Sequence, residues 1–192
     1  MNLVQCLSNI TDPRRKQGMR HNLHQMFSML ILGGLCGHFG GRAVARFSQA
    51  NAELLTKHLG LIHPPPSHVS FSAFLNSILH QELINAFHTW TSNYVPLSKN
   101  EQLSGDGKSL KSTATDNQGK TFQAVVTIFA QDSGLAHRIA TYRNEKKSEI
   151  HVMQNMLQAL QSMGLTIFLD SLHCQKKQSK RFDQVGTIML FK

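Results

Sequence analysis

The chain has 192 residues, 41% of them hydrophobic, which is enough apolar material for one sizeable core or two small ones. This composition excludes wholesale disorder, and three widely spaced cysteines without a CxxC pair favour a reducing cytoplasm over a disulfide framework or zinc knuckle. The formal net charge of +9 most often indicates a polyanionic partner, commonly nucleic acid, although a generally basic surface without a specific partner remains open.

The first half of the sequence predicts helices. Residues 42–58 form one helix after a turn at Gly40 and Gly41, and residues 63–66 form a rigid, proline-rich connector. Ser67 can cap the next helix, and a last helix runs from Glu82 to about Tyr94. An earlier helix is indicated by apolar residues at spacings of three and four, namely Leu23, Met26, Phe27, Leu30 and Ile31. The most apolar run, residues 26–36, is too short to span a bilayer, and the first five residues do not resemble a secretory signal.

The second half changes to the period of strands. After a linker at residues 95–101, a short strand leads into Asp106. A meander, a helix and a last strand follow, at residues 122–130, 135–142, about 147–164 and 165–169. The predicted order of this half is therefore βββαβ.

Two carboxylates follow predicted strands. Asp106 ends the first strand and Asp170 comes directly after the last one, so the two acids would face each other if these strands are neighbours. Carboxylates this close repel unless a cation lies between them, and their hard oxygens suit Mg²⁺ or Mn²⁺. Two such ions, roughly 4 Å apart, can activate a water or a 3′-hydroxyl for attack on a phosphodiester.

The alternative is that each aspartate is a turn or capping residue, because Asp-Gly is a common turn pair and an Asp after a strand often caps a helix. Taken singly, each Asp favours this alternative, whereas the pair in βββαβ order leaves the two interpretations even. Basic residues that could hold phosphates follow both acids, namely Lys108, Lys111, Lys176 and Lys177.

A second basic cluster lies in the loop at residues 12–21. Its four cations, Arg14, Arg15, Lys16 and Arg20, could track a phosphate backbone, although they could equally belong to a solvated loop that caps helix ends. The basic balance of the whole chain favours DNA contact. A zinc site is not indicated, because His21 and His24 have no third ligand at a recognisable spacing. No phosphate-binding glycine loop or serine hydrolase arrangement is recognisable.

Five segments in order resemble the H-repeat-associated insertion-sequence transposases of the DDE class. They are DPRRKQG with the following His21, PSH at residues 66–68 with Phe71 and Trp90, DGKSLK at 106–111, KSEI at 147–150, and LDSLHCQKK at 169–177. No single segment is decisive, but the ordered set is specific and covers residues 1 to about 177.

The resemblance implies an α+β fold, with a helical N-terminal region over residues 1–95 and an incomplete ribonuclease-H-like βββαβ domain over 96–177. It implies a two-ion Mg²⁺ or Mn²⁺ site with Asp106 and Asp170 as catalytic metal ligands. The third acid of the family lies beyond Lys192, and Glu149 matches a different family position, where it would serve the helix dipole. The implied partners are DNA at insertion-sequence ends and a second copy of the chain. Neither a membrane nor a small-molecule substrate is implied, and the expected location is the bacterial cytoplasm, at the nucleoid.

Residues 178–192 depart from the family pattern. These residues are compatible with codons that, read in a second frame, give TIEAIRSSGNDYVIQ, which looks like the family's continuation. We therefore expect that a lost base put this tail out of frame, and a programmed frameshift that restores the full enzyme is the alternative. The expected function is that of a transposase, here a truncated and inactive copy. The alternative is a DNA-binding module or regulator derived from a transposase without catalysis. A decayed product whose unfinished sheet exposes an edge is a third reading.

Overall fold

A computed structural model describes residues 3–94, 96–98, 100–114, 121–144, 149–160, 164–169 and 188–191 of the chain. The chain divides into two compact units, Met1–Trp90 and Thr91–Lys192. No helix among the described residues is both long enough and apolar enough to cross a membrane. The first unit is helical and the second is built on a mixed β-sheet. This α+β organisation is the one that the sequence predicts.

Six helices account for most of the described part of the first unit. They are α1 (Leu3–Leu7), α2 (Leu23–Leu35), α3 (Gly41–Ala50), α4 (Ala52–Leu59), α5 (His68–Ser77) and α6 (His80–Tyr94), whose last turn reaches into the second unit. The prediction of a single helix over residues 42–58 is wrong, because the helix is interrupted at Asn51. The side-chain amide of Asn51 donates to the Phe47 carbonyl (2.9 Å), while its own carbonyl accepts the first hydrogen bond of α4 from Leu55 (3.0 Å). A local competition of this kind leaves little trace in the apolar pattern.

Side-chain caps define the starts of two helices. The Asn22 side chain accepts from the Gln25 backbone (2.8 Å), and the Gln25 side chain accepts from the Asn22 backbone (2.9 Å). This reciprocal pair satisfies two backbone donors at the start of α2. At α5, the predicted cap is confirmed, because the Ser67 hydroxyl accepts from the backbone of Ser70. Both helices therefore begin at positions set by local sequence.

The core of the first unit contains Phe71 and Phe74 of α5, which are essentially fully buried. Phe74 packs edge-on against Phe27 of α2, with ring centroids 5.3 Å apart. Helix α3 approaches α5 so closely at Gly41 that an added Cβ would collide with the Ser72 hydroxyl. It would also lie 2.9 Å from the Ser72 backbone nitrogen. The absence of a side chain at Gly41 thus lets the two helices meet backbone to backbone.

The second unit holds a five-stranded sheet in the order β3-β2-β1-β4-β5. Its strands are β1 (Gln102–Leu110), β2 (Gln123–Ala130), β3 (Leu135–Arg143), β4 (Thr166–Leu169) and β5 (Ile188–Phe191). β2 pairs antiparallel with both β1 and β3, whereas β4 pairs parallel with both β1 and β5. The predicted βββαβ order is confirmed. β5 is an addition to it, because it lies within residues 178–192, where the sequence analysis predicts no strand.

Helix α7 (Glu149–Gln158) connects the meander to β4 and supplies apolar side chains to the core of the sheet. Met153 of α7 is 1% exposed, and a Cβ added at Gly105 of β1 would lie 2.6 Å from its methyl carbon. The same Cβ would lie 2.6 Å from a methyl group of Leu169 in β4. The centre of the sheet is therefore packed against α7 without spare volume at Gly105.

Candidate functional site

Asp106 lies in the interior of β1, four residues before the strand ends at Leu110. The expected placement at the end of the strand is wrong, because the ladder with β2 continues from Asp106, opposite Thr127, to Leu110, opposite Gln123. The alternative in which Asp106-Gly107 forms a turn is wrong for the same reason. The Asp106 residue is exposed, so its carboxylate remains accessible within a regular strand.

The parallel ladder between β1 and β4 brings the two acidic segments together. It runs from Gln102 opposite Thr166 to Gly105 opposite Leu169. The next residue of the chain is Asp106 after Gly105 and Asp170 after Leu169. Asp170 itself, with Lys176 and Lys177, lies outside the described residues. The positions that immediately precede the two carboxylates are thus register partners on neighbouring strands.

A third carboxylate lies against the same strand, and the sequence analysis does not predict this contact. Glu149 is the first residue of α7, where a negative charge complements the helix dipole, as expected. A Cβ added at Gly107 would collide with the Glu149 carboxyl group, so this group occupies the space that a side chain would fill. Burial and the charge of Glu149 together raise the pKa of Tyr142 on β3. The only local feature of the sequence that accompanies this contact is Gly107, the glycine directly after Asp106, which leaves room for the Glu149 carboxyl group.

The basic residues that follow Asp106 are exposed. Lys108 lies two residues further along β1, and alternation along a strand puts it on the same face as Asp106. Lys111 begins the single turn that follows the strand, Lys111–Thr113. Within the parts of the chain that are described, no group of three His, Cys, Asp or Glu side chains could hold a metal ion. Any metal site that included Asp106 would therefore need ligands outside these residues.

Arg14 in the N-terminal loop is engaged inside the first unit. Its Nε and Nη2 atoms donate to the two carboxylate oxygens of Asp12, at 2.9 and 2.6 Å. Its guanidinium lies over the ring of Phe74, 5.1 Å from the centroid. The hydrogen bond from Arg14 lowers the pKa of Asp12 below its usual value. This predicted phosphate contact is thus a paired, half-buried group, in contrast to its three basic neighbours.

Arg15, Lys16 and Arg20 are exposed. Arg15 and Arg20 line a cleft of about 590 Å³ between the loop at residues 12–21 and one side of α5. We call this space the basic cleft. Its other lining includes the prolines at residues 64–66 and the Phe74 side chain, so it combines cations with apolar walls. Lys16 does not line the cleft and belongs to a short turn, Lys16–Gly18.

His21 connects the loop at residues 12–21 to the proline connector, which form two walls of the basic cleft. Its Nε2 lies 3.1 Å from the Pro64 carbonyl oxygen, and because a carbonyl only accepts, Nε2 carries the proton. Burial lowers the pKa of His21, which favours the neutral ring. Its Nδ1 is then an acceptor, and it is buried without a hydrogen-bond partner among the described residues. This arrangement depends on contacts across 43 positions of the sequence, so local patterns do not predict it.

Comparison with known proteins shows what the chain is similar to. Residues 4–91 match the family model described as DDE_Tnp_1-associated. An uncharacterized protein in the dhlA 3′ region of Xanthobacter autotrophicus is 27% identical over 180 residues, which are 92% of this chain and 60% of that protein. Two Escherichia coli K12 proteins named as H repeat-associated transposases, YbfD and YhhI, are each 22% identical over 98% of this chain. The match spans 74% of YbfD and 50% of YhhI.

A solved structure supports the fold. The piggyBac transposase in a synaptic complex with hairpin DNA aligns with 98% of this chain and 48% of its own, with a TM-score of 0.52 and 9% sequence identity. At that identity the likeness concerns the fold alone. The chain spans 60% of the Xanthobacter relative and about half of YhhI, while the match to both Escherichia coli proteins extends through nearly all of this chain. The resemblance expected from the five ordered segments is therefore confirmed, because residues 4–91 match the DDE_Tnp_1-associated model and nearly the whole chain is similar to proteins named as H repeat-associated transposases.

Proposed function

We propose that this chain carries the first part of a DDE catalytic centre that cuts and joins DNA strands, with Asp106 and Asp170 as metal ligands. The observation that supports this most directly is the pairing of Gly105 with Leu169 on parallel neighbouring strands. If that register continues by one residue, the two acids face each other. Two carboxylates on adjacent strands repel each other, and a cation between them removes this repulsion.

The donor chemistry fits Mg²⁺ or Mn²⁺, because the exposed Asp106 offers hard carboxylate oxygens. Such ions, when bound, lower the pKa of an attacking water and stabilise the leaving oxygen of a phosphodiester. Lys108, on the Asp106 face of β1, is suited to holding the backbone phosphate beside the carboxylate. Completion of the site requires acids outside the described residues, namely Asp170 and the third acid that the family pattern puts beyond residue 192.

Mn²⁺ binding to the purified chain, followed by electron paramagnetic resonance, tests this assignment. We expect Asp106→Asn to weaken the tightest Mn²⁺ site by at least about tenfold, because the substitution removes a charged ligand. Asp132→Asn is the matched control, since Asp132 is an exposed aspartate in the turn between β2 and β3. Equal loss in both variants, or none in Asp106→Asn, would overturn the role of Asp106.

We further propose that a polypeptide of residues 1–192 by itself does not carry out strand transfer, because the third acid that the family resemblance implies is not among these residues. A strand-transfer assay on DNA carrying the ends of its own element, with Mg²⁺ present, tests this part separately. Joined products that disappear in Asp106→Ala would show that the chain is active and would refute the inactive reading.

A second candidate function is DNA binding without catalysis, and the three exposed cations of one loop favour it. Arg15, Lys16 and Arg20 precede α2 within the region that matches the DDE_Tnp_1-associated family model. A fold neighbour solved in complex with hairpin DNA adds support. Lysine and arginine contacts to phosphates make affinity fall with salt, by a slope of about 0.9 per contact.

We expect the chain to bind duplexes that carry terminal inverted repeats more tightly than scrambled duplexes, and with a salt-dependent affinity. Neutralising the three loop cations should lower the slope of log affinity against log salt by roughly two to three. The matched control neutralises three exposed cations on α3 and α4, namely Arg42, Arg46 and Lys57. A control that lowers the slope equally would reduce the loop to non-specific attraction.

A further inference from the structure

We propose that the basic cleft holds one unpaired nucleotide of a DNA substrate, with the base inside and its phosphate at the arginine rim. The inference deepens the proposed DNA-binding function and depends on it. The cleft belongs entirely to the first unit, and its walls come from the loop at residues 12–21, the proline connector and α5. A ligand can therefore bind in the cleft through residues of the first unit alone.

The size of the cleft separates a single nucleotide from a duplex. Its volume of about 590 Å³ lies within the range of roughly 300–1,000 Å³ for pockets that enclose a small ligand. A base that remains stacked and paired cannot enter such a space, whereas a base turned out of the stack can. A paired duplex could therefore contact the exposed rim, including Arg15 and Arg20, whereas the interior suits a base that is released from pairing.

The lining matches the parts of a nucleotide. The ring of His63 and the accessible parts of Pro64 and Pro65 give surface for the face of a base. The hydroxyls of Ser70 and Ser77 give donors and acceptors for its polar edge. Arg15 and Arg20 are exposed and complement a phosphate charge. Apolar walls, polar edge groups and cations thus occur together in one space.

The three arginines at the cleft have different roles. The carboxylate of Asp12 compensates the charge of Arg14, and Arg14 in turn lies over the buried ring of Phe74, so Arg14 fixes the loop against α5. Arg15 and Arg20 have no hydrogen bond or ion pair to another described side chain, and they remain accessible at the rim. We therefore assign Arg14 as a positioning residue and the other two as phosphate contacts.

His21 belongs to the wall of the cleft and not to its contact surface. It lines the cleft but is only 6% exposed, and its Nδ1 is buried, so a base in the cleft would not reach that atom. Its Nε2 contact with the Pro64 carbonyl joins the loop at residues 12–21 to the proline connector, so His21 fixes the spacing of these two walls.

Fluorescence anisotropy on the full chain tests the inference with two probes, a blunt duplex and the same duplex with one unpaired nucleotide. We expect the unpaired nucleotide to tighten binding by about tenfold, which lies within the effect of one stacked base. Ala73→Leu extends an exposed residue of α5 into the cleft and should abolish this preference while blunt duplex binding persists. Asn76→Leu, on the same helix but outside the lining, should keep it.

The arginines supply a second comparison. Arg15→Ala and Arg20→Ala should weaken the preferred probe more than Arg46→Ala, which removes an exposed cation from α3. Circular dichroism of each variant establishes that the helices are retained. Equal affinity for both probes, or a preference that survives Ala73→Leu, would overturn the cleft assignment while DNA binding stands. Failure to bind either probe would instead overturn the proposed DNA-binding function.

Discussion

The contact between α3 and α5 leads to a quantitative prediction for Gly41→Ala. The added Cβ would collide with the Ser72 hydroxyl, which can rotate away. It would also lie 2.9 Å from the backbone nitrogen of Ser72 and 3.1 Å from the carbonyl oxygen of His68, and neither atom can move without α5. Overpacking of this kind costs about 1–3 kcal/mol. Against it stands a gain of roughly 0.5–1 kcal/mol from replacing glycine by alanine in a helix.

The net expectation for Gly41→Ala is a loss of about 1–2 kcal/mol in the free energy of unfolding of the first unit. For a unit of this size, the loss corresponds to a decrease of roughly 5–15 °C in the midpoint of thermal unfolding. Far-ultraviolet circular dichroism of the full chain measures it directly, because the first unit contains most of the described helix.

Gly34→Ala is the matched control in α2. A Cβ there would meet only the Phe39 ring, 3.8 Å away, which is an ordinary contact. Because the helix gain is then unopposed, we expect this variant to be more stable than the natural chain by up to about 1 kcal/mol. If Gly41→Ala is as stable as Gly34→Ala, the backbone contact between α3 and α5 does not constrain the unit as argued.

Two further predictions concern the start of α2. Asn22→Ala removes the side-chain half of the capping pair with Gln25 and should cost about 1 kcal/mol in urea unfolding, whereas Asn76→Ala, at an exposed position, should cost less. His21 has a folded-state pKa below its ordinary value of 6.5, so the unfolded chain binds more protons below that pH, and the free energy of unfolding should decrease as pH falls through 6.5 towards the folded-state pKa. His21→Gln should flatten this dependence in urea titrations at several pH values, and an unchanged slope would contradict the role of His21.

Local periodicity predicts much of the fold. The strands expected at residues 122–130 and 135–142 appear as Gln123–Ala130 and Leu135–Arg143, because β-branched and apolar runs bounded by turn residues are local signals. The helix that delivers β4 is also present, although it begins at Glu149 and ends at Gln158. These elements carry their own patterns and need no knowledge of their neighbours.

The features that escape prediction depend on partners elsewhere in the chain. β1 continues beyond Asp106 because it pairs with β2 along this stretch. The residue pattern within β1 alone does not predict this pairing. In the sequence, Arg14 is indistinguishable from the other three loop cations. Only the folded structure shows that it pairs with Asp12 and lies over the ring of Phe74. The carboxylate of Glu149 similarly meets Gly107 only once α7 has packed on the sheet. Residue types therefore indicate what a site can contain, and tertiary contacts decide which members are free.

The position of β1 in the middle of the sheet has a consequence for the order of synthesis. β2 and β3 leave the ribosome soon after β1 and can pair with it and with each other. The other side of β1 stays without its partner until Thr166–Leu169 has been made, because β4 comes after α7. A nascent sheet in this state exposes unpaired backbone groups, and such edges promote association between chains. The contacts of the helical unit are more local than those of the sheet, so we expect this unit to fold before β4 has been made.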